Sequence, residues 1–246
     1  MTDEVFLVAH RGQPDSFPEN SLEGFTHALQ SGVVYIETDV NVTADSVVVL
    51  SHDKDLKKLT GKNINIMKNN YAEFKDIPAG LPEKFSNRFN HCRIATLNQF
   101  SNLLQNWPGV TCFIEIKQDS LFHYGNKVVD LVIDALQAIN DQSILISYDY
   151  DALVYAREKY SVPVGWVLPK WSSKNQIKAK ELSPEYLFVD KFHCPNDKKT
   201  LWRGSWKWVV YTINTAKEIK KYTDLGINII ETNCVSKLQS VNDNEC

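Results

Sequence analysis

The sequence feature that most constrains the fold is a regular alternation of short apolar segments with longer amphipathic ones. The apolar segments are rich in β-branched residues and indicate strands at 5–9, 33–40, 47–51, 110–116, 143–147, 162–168, 186–189, 208–213 and 227–232. Helical periodicity predicts helices at 21–31, 97–106, 125–139, 149–159, 174–182 and 215–225. Because strands that alternate with helices pair in parallel, we predict an α/β protein.

The number of repeats favours a closed barrel. About eight strand–helix units in 246 residues match the size of a (β/α)8 barrel. A doubly wound sheet also fits the alternation, but no G-x-G-x-x-G motif follows the first predicted strand, which weakens a dinucleotide-binding version. Residues 54–96 interrupt the repeat without a long element, which is typical of a functional lid or a small inserted subdomain.

Composition excludes several classes of protein. The 27 basic and 30 acidic residues give a net charge of −3, which does not indicate a nucleic-acid-binding protein. No apolar run exceeds five residues, so no transmembrane helix is predicted. The acidic start, Met1-Thr2-Asp3-Glu4, leads into no signal-peptide core. The five cysteines form no C-x-x-C pair, so we expect a reducing, cytoplasmic location. The oligomeric state is not predicted.

The first predicted helix begins at a capping sequence, Asn20-Ser21-Leu22-Glu23. Asn20 is expected to cap the helix, since its side chain can accept hydrogen bonds from the first backbone N–H groups. Glu23 is expected to reach back to the cap, as in a capping box. Both side chains are therefore predicted to serve the start of the helix.

Residues with useful chemistry follow the first strand directly, in His10-Arg11-Gly12. His10 can transfer protons near neutral pH, Arg11 presents planar donors suited to phosphate, and Gly12 lets the backbone approach a ligand. The carboxyl ends of barrel strands carry the active site. A structural ion pair is the commoner explanation for an isolated His-Arg pair, so this motif alone leaves both explanations open.

A second histidine follows another predicted strand, in His52-Asp53. Asp53 or Asp55 is placed to orient its ring. Two histidines at strand ends supply the pair that acid–base cleavage needs, because one accepts a proton and the other donates one. His27 lies inside a predicted helix and is expected to be structural.

Three acidic residues lie in two predicted strands. Glu37 and Asp39 share a face, because side chains alternate along a strand, and neighbouring carboxylates need a cation or a shared proton. Glu115 emerges between isoleucines and also needs a partner, with Lys117 on the same face. If the three carboxylates meet, they suit a hard cation, Mg²⁺ or Ca²⁺, and Lys117 could hold an anionic oxygen. Solvent-facing acids and a Glu115–Lys117 surface pair are the alternatives.

Six short segments occur in a distinctive order: His10-Arg11-Gly12, Pro18-Glu19-Asn20-Ser21, Glu37-Thr38-Asp39-Val40, Thr43-Ala44-Asp45, His52-Asp53 and Ile114-Glu115-Ile116-Lys117. A fainter series continues through Ser147-Tyr148-Asp149, Tyr211-Thr212-Ile213-Asn214 and Leu225-Gly226. Over about 110 residues, the six segments together resemble the glycerophosphodiester phosphodiesterase family. The ordered set is far more specific than any single motif.

That resemblance implies a (β/α)8 TIM barrel, as a single domain over residues 1–246 with a small insertion, 54–96, after the second strand. It implies metal-dependent hydrolysis of a small-molecule glycerophosphodiester to glycerol phosphate and an alcohol. Seven residues match functional positions of the family. They are the acid–base histidines His10 and His52, the phosphate-contacting Arg11 and Lys117, and the carboxylates Glu37, Asp39 and Glu115, which match the ligands of one divalent cation, Mg²⁺ or Ca²⁺. The resemblance does not decide which histidine is the acid, or whether water or the glycerol hydroxyl attacks.

Three positions depart from the family pattern. Tyr211 stands where the family usually has Trp, and Ala95 where it usually has Pro. The last predicted strand ends in Glu231-Thr232-Asn233, where an Asp is usual. These changes leave the predicted chemistry intact and bear on which alcohol group the enzyme accepts.

Two other functions fit the same features. A lysophospholipase D or lyase on a related barrel would cut a lipid phosphodiester and need an apolar groove, to which Trp166, Trp171, Phe192 and Trp202 could contribute. A catalytically inactive barrel could instead bind a phosphorylated ligand, but such a relative should have lost a histidine or a metal-binding carboxylate. This chain retains all of them.

Segment 54–96 also carries an excess of lysine and arginine over acidic residues. It follows His52-Asp53 directly, so it must begin at the predicted catalytic mouth. A positive flap there would attract an anionic diester in a salt-dependent way. A solvated, lysine-rich surface loop is the alternative.

Overall fold

The computed structural model describes residues 4–242. Within them the strands are β1 (Phe6–Ala9), β2 (Tyr35–Val42), β3 (Val48–Leu50), β4 (Thr111–Ile116), β5 (Ser143–Ser147), β6 (Val164–Val167), β7 (Tyr186–Asp190), β8 (Lys207–Tyr211) and β9 (Ile229–Thr232). The helices are α1 (Leu22–Gln30), α2 (Lys57–Thr60), α3 (Pro82–Phe85), α4 (Leu97–Leu104), α5 (Gln118–Tyr124), α6 (Lys127–Ala135), α7 (Tyr150–Tyr160), α8 (Ser173–Leu182), α9 (Ala216–Asp224) and α10 (Val235–Asn242). Turns of 3₁₀ helix lie at Ile66–Lys68, Tyr71–Glu73, Gln137–Gln142 and Lys198–Thr200.

Eight of the strands close into a parallel barrel. The strand order runs from β1 through β9, β8, β7, β6, β5 and β4 to β2, and β1 also pairs with β2. The predicted (β/α)8 TIM barrel is therefore confirmed. β3 is not a barrel strand, because it forms an antiparallel hairpin with β2 in which Val40 lies opposite Leu50.

Two apolar layers hold the barrel together. The larger layer packs the outer faces of the strands against the helices, and buries residues such as Phe25 of α1 and Phe100 of α4. The inner layer fills the barrel with side chains from the strands, where the rings of Phe113 and Phe188 lie 5.0 Å apart. Removing a buried Phe ring typically lowers the free energy of unfolding by about 3–5 kcal/mol. This inner layer therefore holds in place the strand ends that carry the site.

The predicted cap of the first helix is wrong by one residue. Ser21 is the cap, since its side chain accepts a hydrogen bond from the backbone N–H of Gly24. Asn20 adopts a left-handed backbone (φ 57°) and its Nδ2 donates to Asp39 Oδ2 at 3.0 Å. Hydrogen bonds to an ionised group are stronger than those between neutral groups, so the carboxylate holds Asn20 away from the helix. Glu23 instead contacts His91.

Residues 54–96 form short elements around a separate apolar cluster. The segment includes α2, α3 and two of the 3₁₀ turns. Its cluster includes Leu56, Ile66 and Phe74, and packs on Val49 of β3. The absence of a long element within this segment is as predicted, and the cluster gives the segment a defined shape beside the barrel.

Two further features bear on the predictions from composition. No helix within residues 4–242 combines the length and the apolar character needed to cross a membrane. Four cysteines, Cys92, Cys112, Cys194 and Cys234, are buried and free, whereas Cys246 lies outside the described residues.

Candidate active site

The predicted site residues meet at the carboxyl ends of the barrel strands. His10 follows β1, Glu37 and Asp39 lie in β2, and Asp39 stands opposite Glu115 of β4 in the strand register. Lys117 follows β4 directly. A cavity of about 230 Å³ at the mouth of the barrel is lined by His10, Arg11, His52, Glu115 and Lys117. Glu37 and Asp39 cluster with Glu115 at its edge. The structure thus brings together all seven residues predicted from the sequence.

Three carboxylates converge at this mouth, and one of them, Glu115, lines the cavity. One ligand oxygen from each of Glu37, Asp39 and Glu115 lies within 4.8 Å of the others. Burial raises the pKa of Glu37 well above its usual range, and repulsion from Asp39 adds to the effect. Among the described residues, none donates a hydrogen bond to the buried Glu37 Oε1. Burying a carboxylate oxygen without a hydrogen-bond donor destabilises the fold, and a bound cation would compensate for the missing donor. The cluster therefore fits a bound cation.

Two basic side chains neutralise part of this negative charge. Arg11 Nε lies 2.9 Å from Asp39 Oδ2, and Lys117 Nζ donates to Asp39 Oδ1 at 3.2 Å and to Glu115 Oε1 at 2.8 Å. Asp39 is buried, which alone would raise its pKa, but Arg11 and Lys117 overcome this and hold it well below its usual range. Asp39 is therefore ionised, between the two cations.

The turn at Arg11 and Gly12 aims the guanidinium group into the site. Both residues have left-handed backbones, with φ of 50° and 84°. The Arg11 N–H consequently donates to Glu37 Oε2 at 3.1 Å. A Cβ at Gly12 would lie 3.0 Å from the backbone of Gly24 and Phe25 in α1. The glycine is therefore needed for its left-handed backbone and for close packing on α1.

His10 is held by Asn233, which directly follows β9. Its Nδ1 donates to Asn233 Oδ1 at 2.6 Å, in the tautomer that leaves Nε2 unprotonated. Nε2 faces the carboxyl groups of Glu231 at 3.5 Å and Glu37 at 3.9 Å. Burial, with the charge of Arg11 as a second cause, lowers the pKa of His10 to about 3. His10 is therefore neutral, with its unprotonated Nε2 turned toward these two carboxyl groups.

His52 occupies the outer wall of the cavity. Its Nδ1 lies 2.7 Å from Asp53 Oδ1, and its side chain is 36% exposed. Asp53 is thus the residue that orients the ring, whereas Asp55 accepts a hydrogen bond from Asn65. His52 also lines a larger groove of about 840 Å³ that opens beside the cavity.

Glu231 is a site residue that the sequence analysis missed as a functional candidate. It lies in β9 and is only 4% exposed, close to His10. Burial and the neighbouring Glu115 raise its pKa to about 8. The signal was present, because an acid among isoleucines in a strand needs a partner, which is the argument that found Glu115.

The aromatic residues considered for an apolar groove lie mostly in packed positions. Trp166 and Trp202 are buried, and the ring of Trp171 packs against that of Trp202 with a centroid distance of 4.2 Å. Phe192 is 83% exposed. Phe122, which the sequence analysis did not consider, is 95% exposed and lines the larger groove.

Comparison with known proteins decides the family. The sequence profile of the glycerophosphoryl diester phosphodiesterase family matches residues 10–237. The chain belongs to this family. A glycerophosphodiester phosphodiesterase from Caldanaerobacter subterraneus subsp. tengcongensis is 24% identical over 238 residues, which cover 93% of this chain and 94% of that protein. Human lysophospholipase D is 41% identical over 66 residues, 27% of this chain and 21% of that protein.

Solved structures show the same fold. A phosphodiesterase from Oleispira antarctica, in complex with the product sn-glycerol-3-phosphate, superposes with a TM-score of 0.85 at 23% identity, covering 97% of this chain and 96% of that chain. A glycerophosphodiester phosphodiesterase from Thermotoga maritima gives a TM-score of 0.74 at 22% identity, covering 98% and 100%. Family membership makes the protein a phosphoric diester hydrolase that acts on glycerophosphodiesters.

Proposed function

We propose that the protein hydrolyses small-molecule glycerophosphodiesters to glycerol phosphate and an alcohol, with one divalent cation bound by Glu37, Asp39 and Glu115. The observation that carries this proposal is the convergence of three carboxylates, one with a buried unpaired oxygen, beside two histidines. The ligands are all oxygens, which suits Mg²⁺ or Ca²⁺. The glycerol phosphate bound by the Oleispira antarctica relative agrees with the proposed product.

The charged side chains then account for substrate binding. A bound cation would offset the negative charge that develops on the phosphate oxygens. Arg11 and Lys117 line the cavity and are proposed to donate to the same phosphate group. Both side chains already contact Asp39, so they are held in place before the substrate arrives.

The histidines are proposed to move the protons. His10 lines the cavity with its Nδ1 bonded to Asn233 and its Nε2 free, so we assign it the role of base toward the attacking hydroxyl or water. His52 lies on the outer wall of the cavity with its Nδ1 held by Asp53, so we assign it the role of acid toward the leaving alkoxide. Asn233 positions His10 without contacting the substrate.

Release of the alcohol tests the proposal directly. The protein is expected to release choline or ethanolamine from the corresponding glycerophosphodiesters, to lose that activity with a chelator, and to regain it with Mg²⁺ or Ca²⁺. Comparison of the two cations in the same assay identifies the preferred one. Full activity after complete removal of divalent cations would contradict the metal-dependent mechanism.

Asn233 offers a test of how His10 is positioned. Asn233→Ala removes a hydrogen bond worth about 1–1.5 kcal/mol, so kcat is expected to fall about tenfold. Asn233→Asp restores an acceptor and adds negative charge, which raises the pKa of His10. We therefore expect partial recovery of kcat, with the acidic limb of its pH profile moved to higher pH. A profile identical to wild type in both variants would exclude this role.

We also propose that residues 1–246 form one domain with 54–96 as an insertion that attracts substrate. Lys54, Lys57 and Lys58 from this segment line the larger groove beside His52. Lys57→Ala is expected to raise KM about 2- to 5-fold with little change in kcat, and to weaken the dependence of KM on salt. Lys62→Ala, on the same segment but outside the groove lining, is the matched control. Equal effects of the two substitutions would contradict a steering role.

A lysophospholipase D activity is the second candidate. The nearly fully exposed ring of Phe122 in the groove beside His52 favours it, as does the match to human lysophospholipase D. Acyl-chain dependence decides between the substrates. If kcat/KM rises with chain length on lysophospholipids and Phe122→Ser removes that rise, the lipid substrate is supported; a flat dependence favours the water-soluble diester.

The proposed cellular location rests on the cysteines. We infer a reducing, cytoplasmic compartment because the four described cysteines are free and buried, with no disulfide among them. Cell fractionation with antibody detection tests this, and recovery of the protein outside the cytoplasm would contradict it.

A further inference from the structure

A second group of metal-binding side chains lies outside the catalytic mouth. Glu23 from the first turn of α1 meets His91 and Cys92, which lie near the end of segment 54–96. His91 Nε2 lies 2.6 Å from Glu23 Oε2, and Cys92 Sγ donates to the same oxygen at 3.5 Å. One ligand atom from each residue lies within 4.8 Å of the other two.

The kinds of donor distinguish this group from the catalytic carboxylates. A thiol, an imidazole and a carboxylate together form a ligand set typical of zinc, whereas the catalytic group in the barrel offers only oxygens beside His10. Zinc–ligand bonds of about 2.0–2.3 Å in a tetrahedron place neighbouring ligands roughly 3.3–3.7 Å apart. The observed separations reach that arrangement with small side-chain movements.

We propose that Glu23, His91 and Cys92 form a second cation site, for zinc or a metal of similar preference, which ties segment 54–96 to α1. All three residues line a groove of about 520 Å³, from which water could supply a fourth ligand. None of the three residues takes part in the catalytic site, so this inference stands or falls independently of the proposed mechanism.

Access and proton balance are both compatible with binding. The side chains of His91 and Glu23 are 65% and 41% exposed, so a metal can reach them, whereas Cys92 is buried beneath. Binding replaces the Cys92 S–H bond with a sulfur–metal bond and releases the proton to solvent. A neutral His91 supplies the lone pair of Nε2, and ionised Glu23 supplies a carboxylate oxygen.

Neighbouring charges leave the ligand atoms available. Lys75, Asp76 and Arg93 also line the groove. The guanidinium of Arg93 donates to the backbone carbonyl groups of Asn90 and Cys92, which holds it on the loop backbone. Burial, with Glu23 adding to it, raises the pKa of the Cys92 thiol to about 12, so without a metal the sulfur keeps its proton.

Cobalt is the probe that separates this site from the catalytic one. The reduced, metal-free full-length protein is titrated with Co²⁺ in the presence of saturating Mg²⁺. Coordination by a thiolate produces a near-ultraviolet charge-transfer absorption, which an all-oxygen site cannot produce. We expect one equivalent of this absorption in the wild-type protein, and its loss when Zn²⁺ is added in competition.

Variants assign the absorption to the three residues. Cys92→Ser should abolish the band, and His91→Ala should weaken Co²⁺ and Zn²⁺ binding by more than about 100-fold, since even second-shell changes cost 10- to 100-fold. Cys194→Ser is the matched control and should keep the band, because Cys194 is also buried and free but belongs to no group of three potential ligands within residues 4–242. Since His91 is exposed, its variant tests the site even if Cys92→Ser fails to fold.

The proposed metal link between segment 54–96 and α1 gives a second readout. Zn²⁺ should slow proteolysis within residues 54–96 in the wild type and in Cys194→Ser, and should not do so in His91→Ala. Absence of the charge-transfer band from the wild type would overturn the proposal. So would a band that persists in Cys92→Ser, or zinc protection that is unchanged in His91→Ala.

Discussion

Replacing either proposed catalytic histidine is expected to lower kcat by about 10²–10⁴, the usual contribution of a general acid or base. The two variants should lose activity for different reasons, because the two rings have different surroundings. His10 is buried against Asn233, whereas His52 is partly exposed and paired with Asp53. kcat for His10→Ala and His52→Ala, measured on a glycerophosphodiester, gives the first comparison.

The leaving group separates the two roles. An alkoxide needs a proton to depart, but a nitrophenolate does not. If His52 is the acid, His52→Ala should recover most of its loss on a nitrophenyl phosphodiester, while His10→Ala should recover little. The opposite pattern would exchange the assignments, and turnover close to wild type in either single variant would remove that residue from the mechanism.

The double variant tests whether the histidines act together. Residues that serve one transition state have strongly non-additive effects, so the loss of activation free energy in His10→Ala/His52→Ala should be smaller than the sum of the single losses. Additive losses would indicate that the two residues contribute to separate steps. Circular dichroism and thermal unfolding of each variant control for misfolding.

The second large effect concerns Glu37. Glu37→Gln is expected to lower kcat by at least about 10²-fold, because it removes a charge from the proposed cation site. Its effect on the metal-free fold should be opposite, because Glu37 is repelled by Asp39, Glu231 and Glu115. The metal-free variant should therefore be as stable as the wild type or more so.

The pH dependence of unfolding gives a separate test of this repulsion. A pKa raised by folding means that the native state binds a proton at Glu37 more tightly than the unfolded chain does. The contribution of this group is therefore most favourable at low pH, and stability falls as the pH rises above the ordinary range of Glu. Glu37→Gln should remove that part of the decline in the metal-free protein.

The effect of Mg²⁺ or Ca²⁺ on Tm completes the comparison of Glu37→Gln with the wild type. A ligand at 100 times its Kd stabilises the native state by about 2.7 kcal/mol, so Mg²⁺ or Ca²⁺ should raise the Tm of the wild type and leave that of Glu37→Gln almost unchanged. Asp39→Asn is the contrasting variant, since it leaves the half-buried Arg11 and Lys117 without their shared carboxylate and should destabilise the fold. Equal stabilisation of wild type and Glu37→Gln by the cation would exclude Glu37 as a ligand.

The barrel could be predicted because its signals are local. Each buried strand is a short β-branched segment, and the strand–helix alternation determines how neighbouring strands pair. The antiparallel direction of β3 was not predicted, since the segment around Val48–Leu50 has the same apolar character as a barrel strand. Its direction depends on the tight connection from β2, not on its own composition.

The candidate site could be predicted where a charged residue interrupts an apolar strand or directly follows one. Glu37, Asp39 and Glu115 stand out as acids in apolar strands, and Asp39 and Glu115 prove to be neighbours in the register. The partnership of His10 with Asn233 could not be predicted, because the two residues are 223 positions apart and meet only through strand pairing. The move of Asn20 from helix cap to Asp39 likewise depends on tertiary contacts.

The seam of the barrel, where β1 at the start of the chain pairs with β9 near its end, has a consequence for synthesis on the ribosome. β1 lies between β2 and β9, so the first strand to be translated waits for the last before it gains its second neighbour. His10 and Asn233 flank this seam and come together only when it closes. A nascent chain can therefore pair β2 with β4, which carry the proposed cation ligands, before β9 has emerged, whereas His10 gains its partner Asn233 only afterwards. The order of the strands thus delays the positioning of His10 until the last strand of the barrel has been made.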